Sequence, residues 1–243
     1  MKIIEKLSAK HKNMYGRESV TVAFLGDSIT QGCFECYFDA QGGIETVYDY
    51  KSAFSTRFRE ILNILYPNVQ INIINSGISG DAALGCLRRL ERDVLRFSPD
   101  LVIINSGLND AVMGGEEKLE AYGEALSAIF EKCRASGAEV IMLTECMLND
   151  EVSPHLLSDS RMVEFAERFM KVQKSGVLDK YFDKACEVAK KAGVPVCDQY
   201  ATWKLMNKCG VNTTELLANK LNHPTREWHY YMAIKLVETI FEI

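Results

Sequence analysis

Two periods alternate along this chain. Short apolar runs rich in β-branched residues, at 20–25, 69–74, 101–104, 140–143 and 194–197, are too brief for helices. Runs that are apolar at nearly every position suit strands buried on both faces of a parallel sheet. Between them lie stretches of helical period, at 50–65, 82–97, 118–136, 161–192 and 225–242. Pro67, Pro99 and Pro195 stand just before or within strand entries, and Gly137 and Gly193 stand where helix carboxyl ends favour a left-handed residue. The alternation predicts a three-layer α/β/α sandwich around a central, mainly parallel, five-stranded sheet with right-handed crossovers. With 243 residues it is short enough to be one domain spanning 1–243. Gly26, Gly77 and Gly107 each follow one of the first three strands, and such loops converge at the carboxyl edge of an open parallel sheet.

Composition excludes some classes. Hydrophobic residues make up 47% and charged residues 25%, the balance of a globular protein. The net charge of -5 and the lack of a basic stripe argue against a nucleic-acid partner. The pairs Arg88, Arg89 and Lys190, Lys191 sit among acids and read as solvated helix faces. No stretch nears the roughly 18 apolar residues of a membrane span, and the polar start, residues 1–17, has no apolar signal-peptide core. The expectation is a cytoplasmic protein without membrane attachment; its oligomeric state is not legible.

The eight cysteines are scattered, and Cys86, Cys146, Cys186 and Cys197 fall in apolar patterns where free thiols pack as small hydrophobes. Cys33 and Cys36 form a lone CxxC. No second pair follows at zinc-ligand spacing, so no metal is expected. A redox pair stays open because the motif follows a strand, but reduced thiols are the simpler reading.

Three strand-end loops and one carboxyl-terminal segment carry residues fit for chemistry. The first reads Gly26-Asp27-Ser28-Ile29-Thr30-Gln31-Gly32. Ser28 there either caps a helix or offers an exposed hydroxyl, and the triplet alone does not choose. The second, Asn75-Ser76-Gly77-Ile78-Ser79-Gly80-Asp81, has two glycines three apart, which suit a close ligand approach or a plain turn. The third, Asn105-Ser106-Gly107-Leu108-Asn109-Asp110, sets an amide after a strand, where Asn is also an ordinary turn residue. Near the end stands Leu221-Asn222-His223-Pro224, with Pro224 fit for a first helical turn. His229 reads as packed or solvated within the last helix, and His11 and His155 have no recognisable context.

Together these blocks resemble the SGNH/GDSL hydrolase family, named for a Ser, Gly, Asn and His in four blocks in this order. Gly26-Asp27-Ser28, Gly77-Ile78-Ser79-Gly80-Asp81, Gly107-Leu108-Asn109-Asp110 and His223-Pro224 correspond to the four. The resemblance spans nearly the whole chain. It implies a flavodoxin-like α/β/α fold and a cofactor-free serine esterase. Ser28 would be the nucleophile and His223 the base, with an oxyanion hole built from the N–H groups of Ser28 and Gly80 and the Asn109 amide. Asp27 and Asp110 would support these loops without touching the reacting atoms.

One position departs from the family. The aspartate usual three residues before the histidine is Lys220, and no carboxylate occurs between Glu215 and His223. An ammonium cannot accept the imidazole Nδ1 proton. A backbone carbonyl, a carboxylate from elsewhere such as Asp198 or Glu227, or a degenerate site are the three ways this can resolve; the first is expected. Substrate choice falls to the loops at 33–50, with Phe34, Tyr37, Phe38, Tyr48 and Tyr50, and at 149–161, with His155. The family resemblance points to a small-molecule or carbohydrate ester with a short acyl group, acetyl on a sugar being the leaning, with a thioesterase or lysophospholipase of the same family as the alternative. Two other classes are weighed. A binding protein that kept this fold and lost catalysis is favoured by Lys220 and opposed by the intact Ser28, Gly80, Asn109 and His223. A nucleotide-binding module or an ordinary α/β-hydrolase is disfavoured, since GxGxxG, GxxxxGK[ST] and GxSxG are all absent.

Overall fold

The computed structural model describes residues 1–242. Its sheet is built from β1 (Val20–Gly26), β4 (Ile71–Gly77), β5 (Leu101–Asn105), β6 (Glu139–Leu143) and β7 (Val196–Cys197), all parallel, in the order β4-β1-β5-β6-β7. β5 is buried at every position, as its uninterrupted apolar run requires. The chain steps from β1 to β4 on one side, then returns across β1 to β5, so the direction of winding reverses beside β1. Its helices therefore divide between two faces. α3 (Phe54–Leu65) and α10 (Arg226–Phe241) pack together on one, while α4 (Ala83–Asp93), α6 (Leu119–Ala135) and α8 (Val177–Ala192) pack together on the other. This is the expected α/β/α sandwich around a five-stranded parallel sheet.

Several boundaries move, each for a local reason. The helical stretch at 161–192 is two helices, α7 (Ser160–Ser175) and α8, because Gly176 adopts φ +76 between them. The stretch at 82–97 is helical only to Asp93, followed by a single 3-10 turn, Leu95–Phe97. Pro224 is not in a first helical turn: it pairs with Leu217 in an isolated bridge, and Thr225 caps α10 through its hydroxyl.

Other elements escape the sequence pattern altogether. The charged amino terminus forms α1 (Lys2–Lys12), which buries Ile3 and Leu7. Residues 33–50 are no plain loop but an antiparallel hairpin of β2 (Cys33–Phe38) and β3 (Ile44–Tyr48). α9 (Gln199–Lys208) follows β7 and starts on an Asp198 cap. Among the described residues no helix is long and apolar enough to cross a membrane.

Candidate active site

The parallel register sets Gly26 level with Gly77 on one side and with Asn105 on the other. The three loops thus leave the sheet at the same height, two of them beside the reversal point. In the first, Asp27 rather than Ser28 is the helix cap: its Oδ1 accepts from Ile29 N at 2.9 Å, opening the short α2 (Ser28–Gln31). Ser28 is the first helical residue, and its N–H has no hydrogen-bond partner among the described residues.

The second loop lies against the first. Gln31 Oε1 accepts from Ser79 N at 2.7 Å, and Asn75 Nδ2 donates to Thr30 O at 2.8 Å. A Cβ on Gly77 would stand 2.2 Å from Gln31 N, so the close approach this glycine permits is to the protein's own backbone, not to a ligand. Gly80 differs: it takes φ +79, has open space where a Cβ would be, and its N–H is likewise unpartnered among the described residues.

Arg89 corrects one reading. It is buried rather than solvated, with Nε to Asp81 Oδ2 at 2.6 Å, one terminal nitrogen to Ser76 O at 2.6 Å and the other to Gly26 O at 2.8 Å. A planar fork of donors is what two adjacent strand-end carbonyls and a carboxylate need. The helical period marks which member turns inward: Arg89 falls on the buried face of α4 with Ala83, Cys86 and Leu90, and Arg88 does not.

From the third loop, the Asn109 amide donates to Asp27 Oδ2 and to Asp81 O, both at 2.9 Å. One side chain therefore ties the serine loop to the glycine loop. Asp110 accepts from Ala83 N through both oxygens at 3.1 Å, holding the start of α4, and burial raises its carboxyl to about 6.

The histidine comes from the carboxyl-terminal segment. His223 Nε2 lies 3.0 Å from Ser28 Oγ and Nδ1 lies 2.9 Å from Phe34 O, with Cys36 Sγ at 3.7 Å. Nδ1 then carries the proton, donating to the carbonyl, and Nε2 is left as acceptor for the serine hydroxyl. Burial lowers the imidazole to about 4, against smaller opposing effects from the Phe34 carbonyl and the Glu35 charge, so it is neutral at pH 7.

Neither alternative carboxylate reaches it. Asp198 Oδ1 is occupied by Ala201 N and Thr144 Oγ1, and Glu227 makes no hydrogen bond to His223. Lys220 turns away, its Nζ 2.9 Å from Glu215 Oε2. The residue that shapes this segment is Asn219, whose Oδ1 accepts from the N–H groups of Leu221, Asn222 and His223 at 2.9–3.0 Å. A short polar side chain that hydrogen-bonds the backbone just after it is a readable turn signal.

The remaining histidines stand elsewhere. His229 is fully buried, accepts from Phe54 N through Nδ1 at 3.1 Å and packs on Phe34, and burial lowers it to about 3. His155 is exposed, 3.8 Å from Glu215. Burial pushes the Cys33 thiol up to about 12 and raises Cys36 as well, the opposite of an activated redox pair, and all eight cysteines are free. Among the described residues no three His, Cys, Asp or Glu side chains group to hold a metal ion.

Serine, unpartnered glycine N–H, bridging asparagine and buried histidine thus meet at one edge of the sheet. Residues 24–230 match the GDSL-like Lipase/Acylhydrolase family. The chain belongs to this family. Among curated proteins similar to this family member, an acetylxylan esterase of Geobacillus stearothermophilus is 33% identical over 87 residues, 36% of this chain and 38% of the relative. The esterase TesA of Pseudomonas aeruginosa is 28% identical over 124 residues, 51% of this chain and 53% of the relative. The matched region therefore spans only about half or less of these curated relatives. The acetyl xylan esterase AlAXEase has a similar fold, with TM-score 0.66 at 20% identity over 91% of this chain and all of that one. So does a two-domain esterase active on acetylated mannans, with TM-score 0.66 at 18% identity over 98% of this chain and 52% of that one.

Proposed function

We propose that this GDSL-family chain is a serine esterase that moves an acyl group from an ester to water, with Ser28 as nucleophile and His223 as general base. The observation that carries this reading is the 3.0 Å approach of His223 Nε2 to Ser28 Oγ while Nδ1 faces the Phe34 carbonyl. That arrangement presents an unprotonated nitrogen to the hydroxyl at neutral pH. Ser28 Oγ attacks the ester carbon as its proton passes to Nε2. The tetrahedral oxyanion receives the N–H groups of Ser28 and Gly80 and a shared hydrogen of the Asn109 amide. One such donor is typically worth about 3–4 kcal/mol in the transition state. Collapse breaks the bond to the alcohol oxygen, which leaves with the Nε2 proton. Water, deprotonated by the same nitrogen, then releases the acid and restores Ser28.

With a neutral carbonyl at Nδ1 the tautomer is held, but the imidazolium gains less stabilisation than a carboxylate gives. Glu35 supplies the negative charge that acts on His223, at longer range and already paired with Arg226 at 2.6 Å.

The substrate we assign is an acetyl ester of a carbohydrate. The names of the acetylxylan esterase relative and of the mannan-active structural neighbour support this, as do Tyr48 and Tyr50, exposed and stacked with ring centroids 6.2 Å apart where the hairpin ends. Eight free thiols favour a reducing compartment, in keeping with a cytoplasmic enzyme. The deciding measurement is release of nitrophenol from p-nitrophenyl acetate and of acetate from acetylated xylo-oligosaccharides, by wild type and Ser28→Ala. Ser28→Ala should lose at least about 10³-fold in kcat. Equal activity in both proteins would refute the mechanism, and no activity in either would favour a binding protein on the same fold.

A further inference from the structure

Beneath the proposed site lies a carboxyl group that the mechanism does not use. Glu145 follows β6, is completely buried, and accepts from Leu108 N through Oε2 at 2.7 Å. Its Oε1 is buried and meets no donor; Leu108, whose N–H the other oxygen holds, adjoins Asn109, whose amide donates to Asp27, so the two carboxyls close on one loop and each acts on the other's proton. Asp27 is itself buried, and each of its oxygens accepts a bond, Oδ1 from Ile29 N and Oδ2 from Asn109 Nδ2.

Two buried carboxyl groups that act on each other cannot both be ionised without a cation nearby. The groups whose charge acts on the pair include Asp110, Asp81, the thiols of Cys33, Cys86 and Cys146, and the Tyr122 phenol, none of them positive. The buried Arg89 directs its donors to Asp81 and to the Ser76 and Gly26 carbonyls rather than to either carboxyl. One proton therefore belongs to the pair. Asp27, with a donor on each oxygen, is the better anion. Glu145, with an oxygen that lacks any donor, is the better acid.

We propose that Glu145 is a positioning residue that stays protonated and donates from Oε1 to ionised Asp27, which in turn holds the Asn109 amide and the start of α2 with Ser28. This rests on the roles given to Ser28 and Asn109 above. Burial raises the Glu145 carboxyl well above its ordinary value and Asp27 to about 7, in keeping with a retained proton. Glutamine reproduces the acid, with an N–H for Asp27 and a carbonyl for Leu108 N. Leucine reproduces only its bulk.

The test compares Glu145→Gln, Glu145→Leu and Asp27→Asn with wild type, by kcat and KM on p-nitrophenyl acetate and by Tm from about pH 5 to 9. Glu145→Gln should recover at least about tenfold of the kcat that Glu145→Leu loses, with KM similar in both. Asp27→Asn, which turns an acceptor into a donor facing other donors, should fall below Glu145→Gln in both kcat and Tm. A native carboxyl held neutral destabilises the fold as pH rises from its unfolded value towards its folded one. The Tm of Glu145→Gln relative to wild type should therefore climb across that range.

Equal damage from Gln and Leu, a Tm difference that does not change with pH, or tolerance of Asp27→Asn in place of Glu145→Gln would overturn the proposal. The Tm arm needs no catalysis. If even wild type proves inactive, the esterase reading fails while the shared proton is still decided.

Discussion

The Phe34 carbonyl oxygen stands 2.9 Å from His223 Nδ1 and accepts the proton that Lys220, an ammonium three residues before the histidine, cannot. Phe34 can take this role because β2 runs past the end of the histidine segment, with its own ring packed on His229, 4.7 Å between centroids, and on the Arg226 guanidinium. The same hairpin carries Glu35, whose carboxylate holds Arg226 at 2.6 Å. A main-chain acceptor fixes the tautomer and ring orientation without adding a second negative charge close to the carboxyl groups already buried around Asp27.

Lys220→Asp restores the family residue in sequence but should not restore its role. Lys220 holds φ +58 and points at Glu215, and Nδ1 already has its acceptor. The expected result is kcat/KM within about threefold of wild type, with slightly lower stability from losing a partly exposed ion pair. A rise of about tenfold would mean that the aspartate reaches the imidazole after all.

Asn219 is the more sensitive position. Its Oδ1 gathers three successive N–H groups, and its Nδ2 donates to Asn222 Oδ1 at 2.9 Å. Asn219→Ala should lower kcat by about 10- to 100-fold through misplacement of His223, with little change in KM. Asn219→Asp keeps the accepting oxygen and should recover most of that loss. Steady-state kinetics on a soluble ester reads both, and an unaffected Asn219→Ala would remove the residue from the site's support.

Acid should weaken this protein through its two buried histidines. His223 and His229 have folded values lowered to about 4 and about 3, below the ordinary value of 6.5, so the native state binds fewer protons than the unfolded chain between them. The stability they contribute is fully present above the unfolded value and is lost as pH falls through the folded values. Tm should drop as pH falls from about 6.5 to 4, and His229→Asn should reduce that slope. The rate should hold its neutral-pH level to lower pH than an ordinary histidine base would allow. A kcat/KM profile falling with a midpoint near 6.5 would contradict the buried, neutral imidazole.

Much of this protein is readable from local pattern. Apolar runs too short for helices, spaced by helical stretches, point to a parallel sheet covered on both faces, because a strand buried on both faces takes apolar side chains at successive positions. The four blocks place Ser28, Gly80, Asn109 and His223 at strand ends and at one loop before the last helix. Those features depend on neighbours in the chain, so sequence alone carries them.

Other features depend on partners far away in the chain. The β2–β3 hairpin lies in an aromatic stretch with no long run of period two, and its burial comes from packing Phe34 on His229, 195 residues away by numbering. Arg89 turns inward because carbonyls of two strands, Gly26 and Ser76, end at the same height in the sheet register. The acceptor for His223 is a backbone oxygen, which every residue has and no sequence motif marks. Likewise, nothing local marks Glu145 apart from other acids until the fold buries it beside Asp27, where burial and a second carboxyl change its chemistry. Which residue types stand at the strand ends was written locally; which atoms hold them in place, and in which protonation state, was decided by contacts that form only when the sheet closes.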